Sequence, residues 1–330
     1  MVAMEKTTME YVRLGGTDLT VSRIALGCMG FGGGGRGHNP WALDEEAAAP
    51  VFRRAVELGI TFWDTANVYG GGASEELVGR AVRRYTRRED VVLATKAGLP
   101  MHGGPGGSGL SRRAVLEQVD GSLRRLGTDH VDLFQLHRFD PHTPVEETVA
   151  ALAEVVAAGK VRHVGASSMW AWRFAQLRHT AARDGGPAFV SMQHQYSLVQ
   201  REEEREMFPL LADQGVGSLV WCPLASGRLA RPYGQVTARS AGDPVAGRFF
   251  GDVDRPIVDA VQAVAEDRGV PMARVALAWV LGNPVVTAPV VGATRPGHLD
   301  DAAAALAVRL TEAERAALEA PYTPRLPTGF

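Results

Sequence analysis

Cysteine is scarce in this chain of 330 residues: only Cys28 and Cys222 occur, too few for a disulfide framework and without the close spacing that metal sites use. Both are expected to be packed thiols, and no metal is expected. An excess of one charge is missing as well. With 35 Lys and Arg against 37 Asp and Glu, the formal net charge is −2, so no basic field draws nucleic acid or anionic lipid from a distance. Long apolar runs are also lacking. No stretch is apolar enough to span a bilayer, and residues 1–10 have no signal-peptide core, which together point to a cytoplasmic protein with a small-molecule partner. Nothing in the sequence fixes an oligomeric state.

What is present is an ordinary globular balance, 45% hydrophobic and 22% charged, which excludes a fibrous or disordered chain. A length of 330 residues suits one barrel-sized domain spanning 1–330. Strand-like and helix-like segments alternate from end to end, the pattern of βα units. Strands are expected at 24–27, 61–64, 91–95, 131–136, 161–166, 189–193, 218–221 and 288–292. That is about the number at which a parallel sheet closes, so the predicted fold is α/β, a (β/α)8 TIM barrel. Amphipathic stretches at 44–58, 74–84, 111–126 and 145–158 read as outer helices, with Asp44, Ser74 and Ser111 as caps and Gly59, Gly127 and Gly159 as stops. Residues 10–22, with Gly15-Gly16-Thr17-Asp18 at their centre, predict an N-terminal β-hairpin capping the barrel floor. Long loops are expected at 31–41, 97–109 and 227–255.

In such a barrel the active site lies where strands end, so the polar residue after each apolar run is the first to inspect. Asp64 ends Thr61-Phe-Trp-Asp64, Tyr69 follows five residues later, Lys96 ends Val91-Val-Leu-Ala-Thr-Lys96 and His137 ends Leu133-Phe-Gln-Leu-His137. These types suit carbonyl reduction by hydride transfer, in which the oxygen needs a proton. A phenol is a weak acid with an ordinary pKa of about 10, and a neighbouring ammonium held by a carboxylate would lower it. Tyr69 is thus read as general acid and base, Lys96 and Asp64 as its support, and His137 as a hydrogen-bond partner of the substrate oxygen. Singly, each is a candidate solvated loop residue or barrel-end ion pair. Four complementary groups at three adjacent strand ends favour the chemical reading.

The sequence resembles the aldo-keto reductase family, through Leu14-Gly-Gly-Thr-Asp-Leu-Thr-Val-Ser22, Phe62-Trp-Asp-Thr-Ala-Asn-Val-Tyr-Gly70, Ala94-Thr-Lys96, Val131-Asp-Leu-Phe-Gln-Leu-His137, Gly159 to Ser168, Gln193 to Ser197, Trp221-Cys-Pro-Leu224 and Val291-Gly-Ala-Thr294. The resemblance runs in order along nearly the whole chain. It implies an NADP(H)-dependent reductase of aldehydes or ketones with catalytic residues Asp64, Tyr69, Lys96 and His137. Asp140 to Thr148 is similar to the branch that includes potassium-channel β-subunits, which carry Asn at the position of His137; His137 therefore favours an enzyme. The resemblance also implies cofactor contacts at Gly27, Cys28 and Met29, at Ser167, Ser168 and Gln193 for the nicotinamide amide, and at Trp221 as a stacking ring. Cys222, Pro223, Leu224, Ala225 and Ser226 fall beside the pyrophosphate, and Gly292, Thr294, Arg295, His298 and Asp301 at the adenosine end. A helix opening after Gly292 independently suits phosphate, and Arg295 suits the 2′-phosphate of NADP. The chain departs from the family pattern at Ser168, His298, Asp301 and Ala302.

Gly30-Phe-Gly-Gly-Gly-Gly35 satisfies a dinucleotide-binding pattern by composition, but His38-Asn-Pro40 leave no helix to open after it, so it is read as a loop. Met29, Trp41, Phe139, Met169 and Trp170 are candidates for an apolar substrate mouth. Two other functions stay open: a redox-sensing binding subunit, and a Schiff-base aldolase using Lys96.

Overall fold

The computed structural model describes residues 9–33, 41–237, 242 and 250–327. Its first two strands, β1 (Tyr11–Arg13) and β2 (Thr20–Ser22), form an antiparallel hairpin. The next eight are β3 (Ala25–Gly27), β4 (Phe62–Asp64), β5 (Val92–Ala97), β6 (Val131–Leu136), β7 (Val161–Ser167), β8 (Phe189–Gln195), β9 (Gly217–Trp221) and β10 (Val286–Gly292). They pair in parallel in sequence order, and β10 returns to β3 to close the barrel. All eight expected strands are found, with ends displaced by one or two residues.

The outer layer is α1 (Glu45–Glu57), α2 (Ala73–Tyr85), α3 (Arg112–Leu126), α4 (Val145–Ala157), α5 (Ala171–Asp184), α6 (Met207–Asp213), α7 (Arg255–Arg268), α8 (Met272–Leu281), α9 (Pro296–Ala305) and α10 (Glu312–Glu319). Asp44 caps α1 by accepting from the Ala47 amide at 2.9 Å, and Ser111 caps α3 by accepting from Ala114 at 3.3 Å. Gly127 ends α3 in the left-handed conformation, φ 66°, where a Cβ is disfavoured. Ser74 does not cap α2. It is buried in the first turn, where its hydroxyl donates to the Cys28 carbonyl at 2.7 Å and meets Thr65 Oγ1 at 2.9 Å. The residues before it explain the difference: Gly70, Gly71 and Gly72 all have positive φ, and the chain reverses through them into the helix.

Two apolar clusters follow from strand alternation. One fills the space between sheet and helices. The other occupies the barrel interior and contains Ala25, Phe62, Ala94, Leu133, Leu219, Ala288 and Val290, joined from the hairpin by Leu14 and Val21. The hairpin thus plugs the floor, as expected. Leu14 is fully buried, and any Cβ on Gly217 would come within 2.5 Å of Leu14 Cδ1. Two residues beyond six of these interior positions, on the same inward face, come Gly27, Asp64, Lys96, Gln135, Trp221 and Gly292. An apolar plug therefore supports a polar layer at the carboxyl ends of the strands.

Leu14→Ala removes the centre of that floor and is expected to lower the unfolding free energy by about 2–5 kcal/mol in urea denaturation. A loss under about 1 kcal/mol would show that the hairpin is not part of the core.

Candidate active site

The four singled-out groups converge at one barrel mouth. Asp64 is the last residue of β4, Lys96 lies one residue from the end of β5, and His137 follows β6, its amide donating to the Ala97 carbonyl at 2.8 Å. Lys96 Nζ donates to Asp64 Oδ2 at 2.6 Å, to the Thr65 carbonyl at 2.9 Å and to the Tyr69 hydroxyl at 3.4 Å. The rings of Tyr69 and His137 meet edge to face, 5.8 Å between centroids. Tyr69 belongs to a loop, yet that loop is fastened at several points. Thr65 and Asn67 amides donate to the carbonyls of Ala94 and Lys96 at 2.9 and 3.0 Å, and Asn67 Nδ2 donates to Gln118 Oε1 at 2.9 Å.

Electrostatics assigns a protonation state to three of the groups. Burial alone would lower the Lys96 pKa, but the Asp64 carboxylate and then Tyr69 outweigh it, so the ammonium is held above its usual value of 10.5. A lysine so held is a poor nucleophile, which counts against Schiff-base chemistry. Burial drives the His137 pKa well below 6.5, and the charges of Lys96 and Arg138 push it further, so the imidazole is neutral at pH 7. Its Nδ1 is buried without a partner among the described residues. Tyr69 departs from expectation. Lys96 does pull the phenol pKa down, but burial raises it by more and Asp64 adds to the rise, so the net direction is above 10. The sequence shows the ammonium but not how dry the site around the phenol is.

Gln135, which the sequence did not single out, and Gln193, expected there only as a cofactor contact, complete the inner layer. Gln135 and Gln193 both donate to Asp64 Oδ1, at 2.9 and 3.0 Å, while Lys96 occupies Oδ2. The signal was available for Gln135, which lies two residues before His137 and so shares its inward face.

The residues picked out for a cofactor lie along the same face. Gly27 pairs with Asp64 on one side and Gly292 on the other. Cys28 packs its side chain into the outer core, leaving its backbone at the strand end, while Met29 is exposed. Ser167 and Gln193 are paired on β7 and β8, and the Trp221 indole donates to Ser168 Oγ at 2.9 Å. Cys222, Ala225 and Ser226 adopt left-handed backbone, with Pro223 and Leu224 between them. Gly292 faces open space. No side chain caps the α9 N-terminus, which Arg295 precedes. The His298 ring lies 3.0 Å from Arg295 Nε and 3.3 Å from the Thr294 amide, and Asp301 accepts from Arg274 at 2.9 Å.

Of the expected mouth residues, Met169 belongs to the outer core, whereas Trp170 is exposed and Trp41 and Phe139 are half-buried. In the glycine-rich segment Phe31 is fully buried, its ring tilted against that of Phe52 with centroids 4.6 Å apart, and the Gly32 and Gly33 amides donate to the Leu43 carbonyl. Its last two glycines lie outside the described residues, as do 238–241 and 243–249 of the loop expected at 227–255.

Comparison with known proteins gives a consistent result. The family model described as "Aldo/keto reductase family" matches residues 23–322. A versiconal hemiacetal acetate reductase of Aspergillus parasiticus is 42% identical, the match covering 96% of this chain and 98% of that protein. An aldo-keto reductase of Alternaria alternata is also 42% identical, over 94% and 91% of the two chains. A putative aryl-alcohol dehydrogenase of Schizosaccharomyces pombe is 37% identical, over 95% and 96%.

Two buried imidazoles, one in the site and one outside it, give the protein a pH signature. His194, outward on β8 and bonded through Nε2 to Ser218 Oγ at 2.8 Å, is lowered by burial to about 3. Unfolded, both His137 and His194 gain a proton as pH falls through about 6.5. Folded, they do not, so their stability contribution is complete above 6.5 and shrinks as pH falls, by about 1.4 kcal/mol per pH unit for each ring until its folded value is reached. The expected NMR result is that neither ring titrates between pH 8 and 5, while urea stability declines over the lower part of that range. A His137 resonance titrating near 6.5 would contradict this geometry.

Proposed function

The chain belongs to the aldo/keto reductase family, and on that premise we propose that it reduces an aldehyde or ketone to an alcohol with NADPH, with Tyr69 as general acid and, in reverse, as general base. The observation that carries this reading is the position of Lys96 Nζ, shared between the Asp64 carboxylate at 2.6 Å and the Tyr69 hydroxyl at 3.4 Å at the mouth of the barrel.

The residues present fit a dinucleotide. The strip from Trp221 past Gly292 to Arg295 offers a flat ring, an open strand end without a side chain, a helix N-terminus with no side-chain cap and an exposed guanidinium. These are the features that a nicotinamide, a pyrophosphate and a 2′-phosphate require. Ser167 and Gln193 would hold the nicotinamide amide, Cys222 to Ser226 would lie along the pyrophosphate, and Arg295 would meet the 2′-phosphate. When bound, the reduced nicotinamide supplies the hydride.

The protein supplies the proton and the orientation. Neutral His137 retains one N–H to donate to the carbonyl oxygen, which fixes that oxygen beside Tyr69. An imidazolium is not available at pH 7, so the phenol is the acid. Its raised pKa keeps the proton on Tyr69 until negative charge develops on the substrate oxygen. Lys96, held charged by Asp64, then stabilises the phenolate that remains. Gln135 and Gln193 hold the far oxygen of Asp64, and so hold the ammonium in place.

Two substitutions test the assignment. Tyr69→Phe is expected to reduce kcat for carbonyl reduction by about 10²–10⁴-fold while NADPH affinity, read by tryptophan fluorescence, stays near wild type. Retained turnover would remove Tyr69 from the role of acid. Arg295→Ala should reduce the preference for NADPH over NADH, measured as a kcat/KM ratio, by about tenfold; an unchanged ratio would place the 2′-phosphate elsewhere.

A further inference from the structure

The charges at the barrel mouth do not cancel. Lys96 is matched by Asp64 at 2.6 Å, but Arg138, the residue after His137, has no counter-charge among the described residues. Its Nη1 donates to the His137 carbonyl at 2.6 Å, and among the described residues no carboxylate pairs with it. The nearest acidic residue in sequence, Asp140, faces away: it accepts from the Leu110 amide at 2.8 Å, the His142 amide at 2.9 Å and Thr143 Oγ1 at 2.7 Å. The Arg138 side chain is half-buried, so water screens its charge only in part. That charge reaches both neighbours: on Tyr69 it acts with Lys96 against the larger, opposite effect of burial, and on His137 it adds to the larger effects of burial and Lys96.

A second guanidinium lies at the rim on the adjacent stave. Arg173, near the start of α5, packs its Cζ 3.8 Å from the ring centroid of Trp172 and 4.4 Å from that of Phe139, the residue after Arg138. Its polar contact is with Gln176 Oε1 at 3.1 Å, and it too pairs with no carboxylate among the described residues. Trp170 and Trp172 beside it are exposed. A guanidinium stays charged even when burial lowers its pKa. Keeping one poorly solvated and uncompensated is costly, and an anion that enters relieves the cost.

We infer that Arg138, with Arg173 at the rim, forms a subsite for an acidic group on the substrate, so that the preferred substrates are carbonyl compounds bearing a carboxylate. The inference rests on the reductase reading of the same mouth. Arg138 would bind the carboxylate by charge-assisted hydrogen bonds, with the aromatic rings of Phe139, Trp170 and Trp172 covering the apolar part between acid and carbonyl.

The test uses the full chain with NADPH and two matched pairs of aldehydes: 4-oxobutanoate against butanal, and 4-carboxybenzaldehyde against benzaldehyde. Wild type should show the higher kcat/KM for the charged member of each pair. In Arg138→Gln the charged-to-neutral ratio should fall about 10- to 100-fold, chiefly through KM, with part of it recovered in Arg138→Lys. Arg173→Ala should give a smaller fall in the same direction, and serves if the Arg138 variants do not fold. Turnover of the neutral aldehydes without preference for their charged partners, or a ratio unmoved by these substitutions, overturns the subsite and leaves the reductase reading intact. If none of the four aldehydes is turned over, calorimetry with benzoate decides. Binding lost in Arg138→Gln keeps the anion subsite and discards the reductase reading, and no binding in wild type discards both.

Discussion

The ion pair between Lys96 and Asp64 is the constraint around which the mouth of this barrel is organised. Both side chains are almost fully buried, where an unpaired charge costs several kcal/mol and the loss of one partner typically costs about 3–5 kcal/mol. The fold meets that cost by satisfying every exposed valence. Nζ has three acceptors, one of them the Thr65 carbonyl, and the carboxylate oxygens are divided between the ammonium on one side and two glutamine amides on the other. Since these partners come from β4, β5, β6 and β8, the pair can persist only if the barrel is closed and in register. The chemistry and the topology are therefore coupled: Tyr69 receives its cation only where four strand ends meet.

The same burial that makes the pair strong shapes its neighbours. A dry site raises the phenol, depresses the imidazole and, through Asp64, keeps the amine charged. Three groups that titrate over a wide range in water thus become, at pH 7, a neutral acid, a neutral hydrogen-bond donor and a fixed cation. This division of roles separates the proton source from the charge that stabilises its conjugate base, which carbonyl reduction by a phenol requires. It also explains why His137 and Tyr69 can touch edge to face without competing for the same proton.

Much of this could be read from the sequence because the barrel writes it in a simple code. Alternation along a strand places Asp64 two residues beyond Phe62 and Lys96 two beyond Ala94, so an apolar run ending in a polar residue marks both the interior and the mouth. The hairpin was legible from its glycine turn, and the caps Asp44 and Ser111 from local hydrogen bonding. What was not legible depended on distant packing. Ser74 looks like a cap, yet three glycines bring the chain into α2 in a way that buries it beneath Cys28 and Thr65. Met169 sits at a strand end like a lining residue but turns into the outer core. The net shift of Tyr69 depends on how much water the surrounding loops exclude, and no spacing of residues encodes that.

At Ser168, one departure from the family pattern acquires a physical meaning. Ser168 holds a φ of 45°, a region in which asparagine is more at ease than serine and which costs a residue with a Cβ on the order of 1 kcal/mol. Two bonds offset that cost: its amide donates to the Gln193 carbonyl at 2.9 Å, and its hydroxyl accepts from the Trp221 indole at 2.9 Å. The second bond needs both a short hydroxyl just after β7 and an indole N–H at the end of β9. It fixes the plane of the Trp221 ring relative to Gln193, which is itself tied to Asp64. In the proposed enzyme, the surface against which a nicotinamide would stack is thus joined through two side chains to the carboxylate that orients Lys96. In that reading the hydride donor and the proton donor would both be positioned by one connected hydrogen-bonded layer, to which the serine in place of the usual asparagine belongs.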